Sequence, residues 1–156
     1  MKVKDFLFKD VETVKPQTTL KEILRIFKKF HSPPILPVVD EDNNILGVIR
    51  IESILKIFVN IPEHLKSLIK YPGDHEQDEI LNIEVPPDAG ELFIAEDIMD
   101  LNYLWIDEDA DIEEARRIMK LNRINILPVL KEGKLKGLIS EFDILLGVLK
   151  EKGLEF

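Results

Sequence analysis

Shifting the chain against itself by 92 positions lays DFLFKDVETVKPQTTLKEILRIF (5–27) on DIMDLNYLWIDEDADIEEARRIM (97–119) without a gap. Asp5 meets Asp97, Glu22 meets Glu114, Arg25 meets Arg117 and Ile26 meets Ile118. A shift of 91 lays PPILPVV (33–39) on INILPVL (124–130). A shift of 90 lays ILGVI (45–49) on LKGLI (135–139), with Gly47 on Gly137. The offset changes between helix and strand and again in the EDNN/KEGK turn, where single-residue insertions are tolerated. An internal repeat limits the fold more than any local motif does, because like units have like faces to bury. The chain reads as a duplication.

Each copy has one grammar. A short helical turn (near 3–8 and 95–100) leads into a short apolar strand, Glu12–Val14 or Leu104–Ile106. A helix follows, with Thr18 or Thr19 as N-cap in the first copy and Asp109 or Asp111 in the second. Apolar residues at 20, 23, 24 and 27, and at 112, 115, 118 and 119, have helical spacing. ILPVVDEDNNILGVI is a hairpin around an Asp/Asn turn, and LPVLKEGKLKGLI repeats it with a glycine in the turn. IESILKIF (51–58) and EFDILLGVLK (141–150) close the copies as amphipathic helices. The class is α+β, built from two β-α-β-β-α repeats. A copy of roughly 55 residues is too small to be comfortable alone. Two copies packed sheet to sheet, as a pseudo-two-fold pair, would share a core.

The division is therefore 1–60 for the first repeat, 61–93 for a connecting insertion and 94–156 for the second repeat. Within the insertion, IPEHLKSLIKY reads as a short helix with Pro62 near its first turn. DHEQDE reads as an acidic surface and VPPDAG as a turn or linker. A lid or docking element is the alternative reading of this stretch.

Charge and composition remove several function classes. Lys+Arg is 21 and Asp+Glu is 30, a net charge of -9. Nucleic-acid affinity comes mainly from phosphate neutralisation, and an anionic membrane surface asks for the same cations. Neither partner fits. The chain has no cysteine, which excludes disulfides, thiolate metal sites and a cysteine nucleophile. No metal site is expected. MKVKDFLFKD lacks the apolar core of a signal peptide, and no run approaches a membrane span. The expected location is cytoplasmic. The Lys-, Glu- and Ile-rich composition, 33% charged, is similar to that of heat-adapted proteins.

The sharpest local feature is GLISEFD (137–143). A strand ends at Ile139 and a helix begins. Ser140 suits the N-cap, and Asp143 three residues on completes a capping box. Capping alone would account for both residues. The same junction suits a ligand, because a helix start offers amide donors and positive potential to an anion. A carboxylate in that turn can accept hydrogen bonds from a ribose diol, and Gly137 permits close approach to the backbone.

The PVV/PVL strand starts, the hairpin, the glycine before an apolar pair and S-x-x-D opening the last helix resemble the CBS domain, named for cystathionine β-synthase. Such domains occur as tandem pairs, called Bateman modules. The resemblance covers both repeats and implies a regulatory or sensor module without required cofactors. It implies an effector such as AMP, ADP, ATP, S-adenosylmethionine or sometimes NADH, held in the cleft between the copies. One copy then supplies Ser140 and Asp143, beside Gly137. The other supplies the walls of the base pocket: Thr13, Val14, Thr18, Pro34, Ile35 and Pro37. Thr13 and Thr18 either read the adenine edge or serve as ordinary strand and cap residues.

The second site departs from the pattern. Arg50 replaces the expected Ser/Thr, and Ser53 replaces the ribose Asp. Loss of such a charged hydrogen bond costs about 1.5–3 kcal/mol, roughly tenfold to a hundredfold in affinity. Its walls would be Leu104, Trp105, Ile106, Asn125 and Ile126. Trp105 suits a base-stacking platform or a bulky core filler. Arg50 suits a phosphate partner, a partner for Glu52 or a surface residue. This site is expected to be empty or weak. The residues before each Leu-Pro-Val, where family members often carry phosphate-binding cations, are Pro34, Ile35, Asn125 and Ile126. The remaining cations are Arg50, Arg123 and Lys136, which favours few phosphates, as in AMP or S-adenosylmethionine.

Catalysis is not expected: His31, His64 and His75 are scattered, and no P-loop, HExxH or G-x-S-x-G occurs. The competing reading is a ligand-free scaffold of the same fold, acting through a homodimer or an effector protein the sequence does not name. The stripe 144, 145, 148 and 149 and its counterpart 54, 55, 57 and 58 would serve either a dimer face or the core.

Overall fold

The computed structural model describes residues 1–30, 35–59 and 85–156. The expected helix at 61–71, the acidic stretch DHEQDE and Pro34 lie outside them. Two compact units form. The first-repeat unit comprises Thr13–Asp40 and Leu46–Leu101, and the second-repeat unit comprises Met1–Glu12, Glu41–Ile45 and Asn102–Phe156.

In the first-repeat unit, α1 (Leu20–Lys29) buries Leu20, Ile23, Ile26 and Phe27 at helical spacing. Thr19 caps it by accepting from the Glu22 amide, and Lys28 and Lys29 complement the carboxyl end of the helix dipole. A hairpin follows, β1 (Leu36–Val39) and β2 (Ile45–Ile49). The expected strand at 12–14 narrows to one bridged residue. Val14 donates to the Pro37 carbonyl at 3.0 Å and accepts from the Val39 amide at 2.9 Å. Pro37 has only a carbonyl to offer, and this pairing asks for nothing else. Helix α2 (Ile51–Val59) places Ile54 and Ile57 in the core. A short α3 (Ala89–Leu92) and α4 (Ala95–Ile98) follow.

Residues 85–93 are more than the turn or linker expected of VPPDAG. Ala89 and Phe93 are core residues, Phe93 fully buried, and its carbonyl accepts from the Leu20 amide at 2.8 Å. The Phe58 and Phe93 rings meet edge-on with centroids 6.1 Å apart, a favoured aromatic geometry.

In the second-repeat unit, β3 (Ile106–Asp107) runs parallel to β4 (Ile126–Lys131), and β4 runs antiparallel to β5 (Lys134–Ser140). The sheet order is β3-β4-β5. Helix α5 (Ile112–Asn122) is capped by Asp111, which accepts from the Glu113 amide. Arg123 ends it in the left-handed region at φ 54°. Helix α6 (Glu141–Glu151) starts directly where β5 ends. Val3, Ile106, Ile112, Ala115, Met119, Leu127, Val129, Ile139 and Ile144 form the core. The buried residues thus sort into one cluster per unit.

The units do not follow the repeat boundaries. The N-terminal strap, with a 3-10 turn at Val3–Asp5, packs on the second repeat. Val3 donates to the Ala110 carbonyl at 2.9 Å, and Phe8 and Leu138 exchange backbone bonds of 2.7 and 2.9 Å. The equivalent stretch before the second repeat packs on the first: Val48 and Asp100 exchange bonds of 3.1 and 2.8 Å. The turn residues of the first hairpin also join the second-repeat unit, where Ile45 donates to Gly133 and Leu135 to Asn43.

Candidate functional site

The junction of β5 and α6 forms a complete capping box. The Ser140 hydroxyl accepts from the Asp143 amide at 3.1 Å. Asp143 Oδ2 accepts from the Ser140 amide and from the Ser140 hydroxyl, each at 2.8 Å. Asp143 Oδ1 has no hydrogen-bond partner among the described residues. Both side chains are half-buried. The carboxylate is therefore fixed through one oxygen and open through the other.

The amides of this turn are mostly spent within the chain. Glu141 donates to the Asn125 carbonyl at 3.0 Å. Ser140 and Asp143 amides serve the box, so Phe142 holds the one open donor of Ser140–Asp143 among the described residues. The close approach expected at Gly137 is made by the strap and not left for a ligand. A Cβ on Gly137 would overlap the Phe8 carbonyl oxygen. Gly147 in α6 likewise has no room for a side chain, because the Phe6 ring packs on it.

The junction of β2 and α2 is built differently. Arg50 donates its amide to Ser53 Oγ at 2.9 Å, and Ser53 Oγ donates to Asp100 Oδ2 at 2.6 Å. Ser53 is 1% exposed. Its partner Asp100 was not singled out in the sequence. Arg50 is half-buried and makes no ion pair among the described residues, so the expected pairing with Glu52 is absent there. Gly47 has its Cβ position 2.9 Å from the Asp100 carbonyl oxygen, which explains why the glycine recurs here.

The predicted wall residues differ in access. Val14, Ile35 and Pro37 are buried, and Thr13 and Thr18 are half-buried. The Thr18 hydroxyl closes a local turn by accepting from the Lys15 amide at 3.0 Å. Trp105 is 50% exposed, which rules out the core-filler reading. Leu104 and Asn125 are exposed, Ile126 is half-buried and Ile106 is buried. Of the predicted cations, Arg123 caps α5 through its backbone. Lys136 lines a depression of about 450 Å³ with Lys4, Asp5, Leu7, Lys9 and Glu108. The apolar stripe divides: Ile54, Ile57 and Ile144 are core, whereas Leu145 is 50% exposed.

One charged cluster outside the junctions is strongly perturbed. Asp109 accepts from Lys131 at 2.6 Å and from Lys4 at 3.0 Å, and these hydrogen bonds hold its carboxyl down at about 2. The same contacts raise both lysines above their ordinary value. Among the described residues no group of His, Asp and Glu side chains is arranged to hold a metal ion. No helix of the described residues is long and apolar enough to cross a membrane.

The family model for the CBS domain matches residues 3–60 and 95–150, which together span most of the chain. The chain belongs to the CBS-domain family. It carries that domain twice, as a CBS pair. A CBS domain-containing protein of Dictyostelium discoideum is 27% identical over 144 residues, covering 92% of this chain and 88% of the relative. The crystal structure of CBSX2 in complex with AMP matches with a TM-score of 0.69 at 21% identity, covering 97% of this chain and 98% of that one. A CBS domain pair solved with 5′-methylthioadenosine and S-adenosyl-L-methionine matches with a TM-score of 0.62 at 20% identity, over 97% and 98% of the two chains. These structural matches establish the fold.

Proposed function

We propose that this CBS pair is a regulatory module, not a catalyst, and that it binds one adenosine-containing ligand at the Ser140–Asp143 helix start. One observation carries the reading: Asp143 is anchored through Oδ2 and leaves Oδ1 open. A carboxylate oxygen has two acceptor positions, enough for the vicinal hydroxyls of a ribose. Because the group is already fixed, little side-chain freedom is lost on binding. The ligand class is supported by the AMP and S-adenosyl-L-methionine complexes of the two matching CBS proteins. A single open amide at Phe142 suits a ligand with few phosphates, such as AMP or S-adenosylmethionine. Placement of the adenine beside Thr13 and Thr18 rests on the family resemblance.

Thermal unfolding with AMP, ATP, S-adenosylmethionine and NADH tests this in the wild type and in Asp143→Ala. A ligand that binds only the folded state raises the midpoint by mass action. Removing the carboxylate should weaken binding about tenfold to a hundredfold, the equivalent of about 1.5–3 kcal/mol. If no adenosyl compound shifts the wild type at millimolar concentration, the module is an interaction scaffold. A shift that survives Asp143→Ala unchanged places the ligand elsewhere.

A further inference from the structure

The two helix starts differ in where their carboxylate is attached. In the second-repeat unit it stands on the helix, as Asp143, and the strap residue bridged to β5 is Phe8. In the first-repeat unit the helix carries Ser53, and the residue bridged to β2 is Asp100. Phe8 and Asp100 are equivalent positions, 92 residues apart. Helix and strap have thus exchanged the acid between the copies.

We infer that Asp100 is a specificity-determining residue that closes the first repeat. It caps α2 from outside the helix, through the Ser53 hydroxyl, and so removes this helix start from diol binding. The Ser53 oxygen accepts from Arg50 and gives its one proton to Asp100, so its hydrogen bonds are complete within the chain. At 1% exposure no ligand atom reaches it. Asp100 is held on three sides. Its amide and carbonyl pair with Val48, its carboxylate takes the Ser53 proton, and its carbonyl lies against Gly47. An Ala at position 53 would leave the Arg50 amide without its acceptor and Asp100 without its donor. The sequence departure at Ser53 is therefore one half of a paired substitution, and its other half lies on a different element.

The ligand part of this inference rests on the function proposed above, but the latch itself is testable without ligand. Ser53→Ala and Asp100→Ala should each lower the thermal midpoint, and the double variant should melt close to either single, because both remove one contact. Fully additive losses would overturn the latch. With AMP or S-adenosylmethionine in calorimetry, the wild type should bind one equivalent. The exchange Ser53→Asp/Asp100→Ser should bind two, and in an Asp143→Ala background it should restore affinity about tenfold or more. Two equivalents on the wild type would show the first repeat to be open. Binding by Asp143→Ala that Asp100→Ala abolishes would make Asp100 itself an acceptor, and either result defeats the inference. If hydrogen exchange shows the swapped protein folded yet no second equivalent binds, position of the acid does not determine the site. Absence of any binding by the wild type defeats the proposed function, while the melting cycle still decides the latch.

Discussion

Ser140 uses one oxygen twice: it accepts from the Asp143 amide and donates to the Asp143 carboxylate. Capping and site preparation are therefore the same event. Ser140→Ala removes the cap acceptor at the start of α6, and N-cap losses of this kind cost about 1 kcal/mol. A urea melt should show a lower midpoint with an unchanged slope. An unchanged midpoint would mean that the box adds nothing to stability. Asp143 should stay oriented in this variant, since the Ser140 amide still holds Oδ2. This pair was legible in the sequence because both partners lie within one helical turn. The Ser53–Asp100 bond was not, because its partners are 47 residues apart and only the fold brings them together. Nor does the sequence show that the glycine at 137 meets a carbonyl of the strap, since close approach by ligand and by backbone ask for the same residue.

At the scale of elements, the helices and hairpins follow from periodicity and turn residues, as α1, α5 and both hairpins show. What periodicity omits is the copy to which the strap and α4 belong. Repeat faces are alike, so a strap fits either copy by pattern alone, and the exchange is settled by packing. Lys4 on the strap and Lys131 on β4 both hold Asp109. Asp109 titrates at about 2 in the folded chain against an ordinary 3.8, so folding favours its charged form. Its contribution is complete above about pH 4 and fades as the pH falls from there towards 2. On the basic side it persists until the lysines, raised above 10.5, lose their protons. Thermal midpoints measured from pH 5 to 2 should therefore fall more steeply for the wild type than for Asp109→Asn, and the two curves should converge near the acid end. The contact lies at the surface, so the difference should shrink in high salt. Parallel curves would show that the strap is held without it.

For the whole molecule, the exchange of segments determines which pieces can fold. A fragment cut at the repeat boundary, 1–60, lacks Ala89, Phe93, Ala95 and Ile98, all of them core residues of the first-repeat unit. Truncating a single buried Phe costs about 3–5 kcal/mol, and a domain of ordinary stability has only about 5–15 kcal/mol in total. Losing Phe93 together with its neighbours therefore exceeds what the remaining core can supply. A fragment ending at Leu101 keeps every segment of that unit. The expected outcome is a cooperative denaturant transition for 1–101 and none for 1–60, followed by circular dichroism. The size of the transition, and not merely helical signal, is the measure, because α1 with its own cap can retain some helix in isolation. A cooperative transition in 1–60 would mean that the 89–98 segment decorates the first repeat and does not complete it. In that case Asp100 would have no rigid platform from which to hold Ser53.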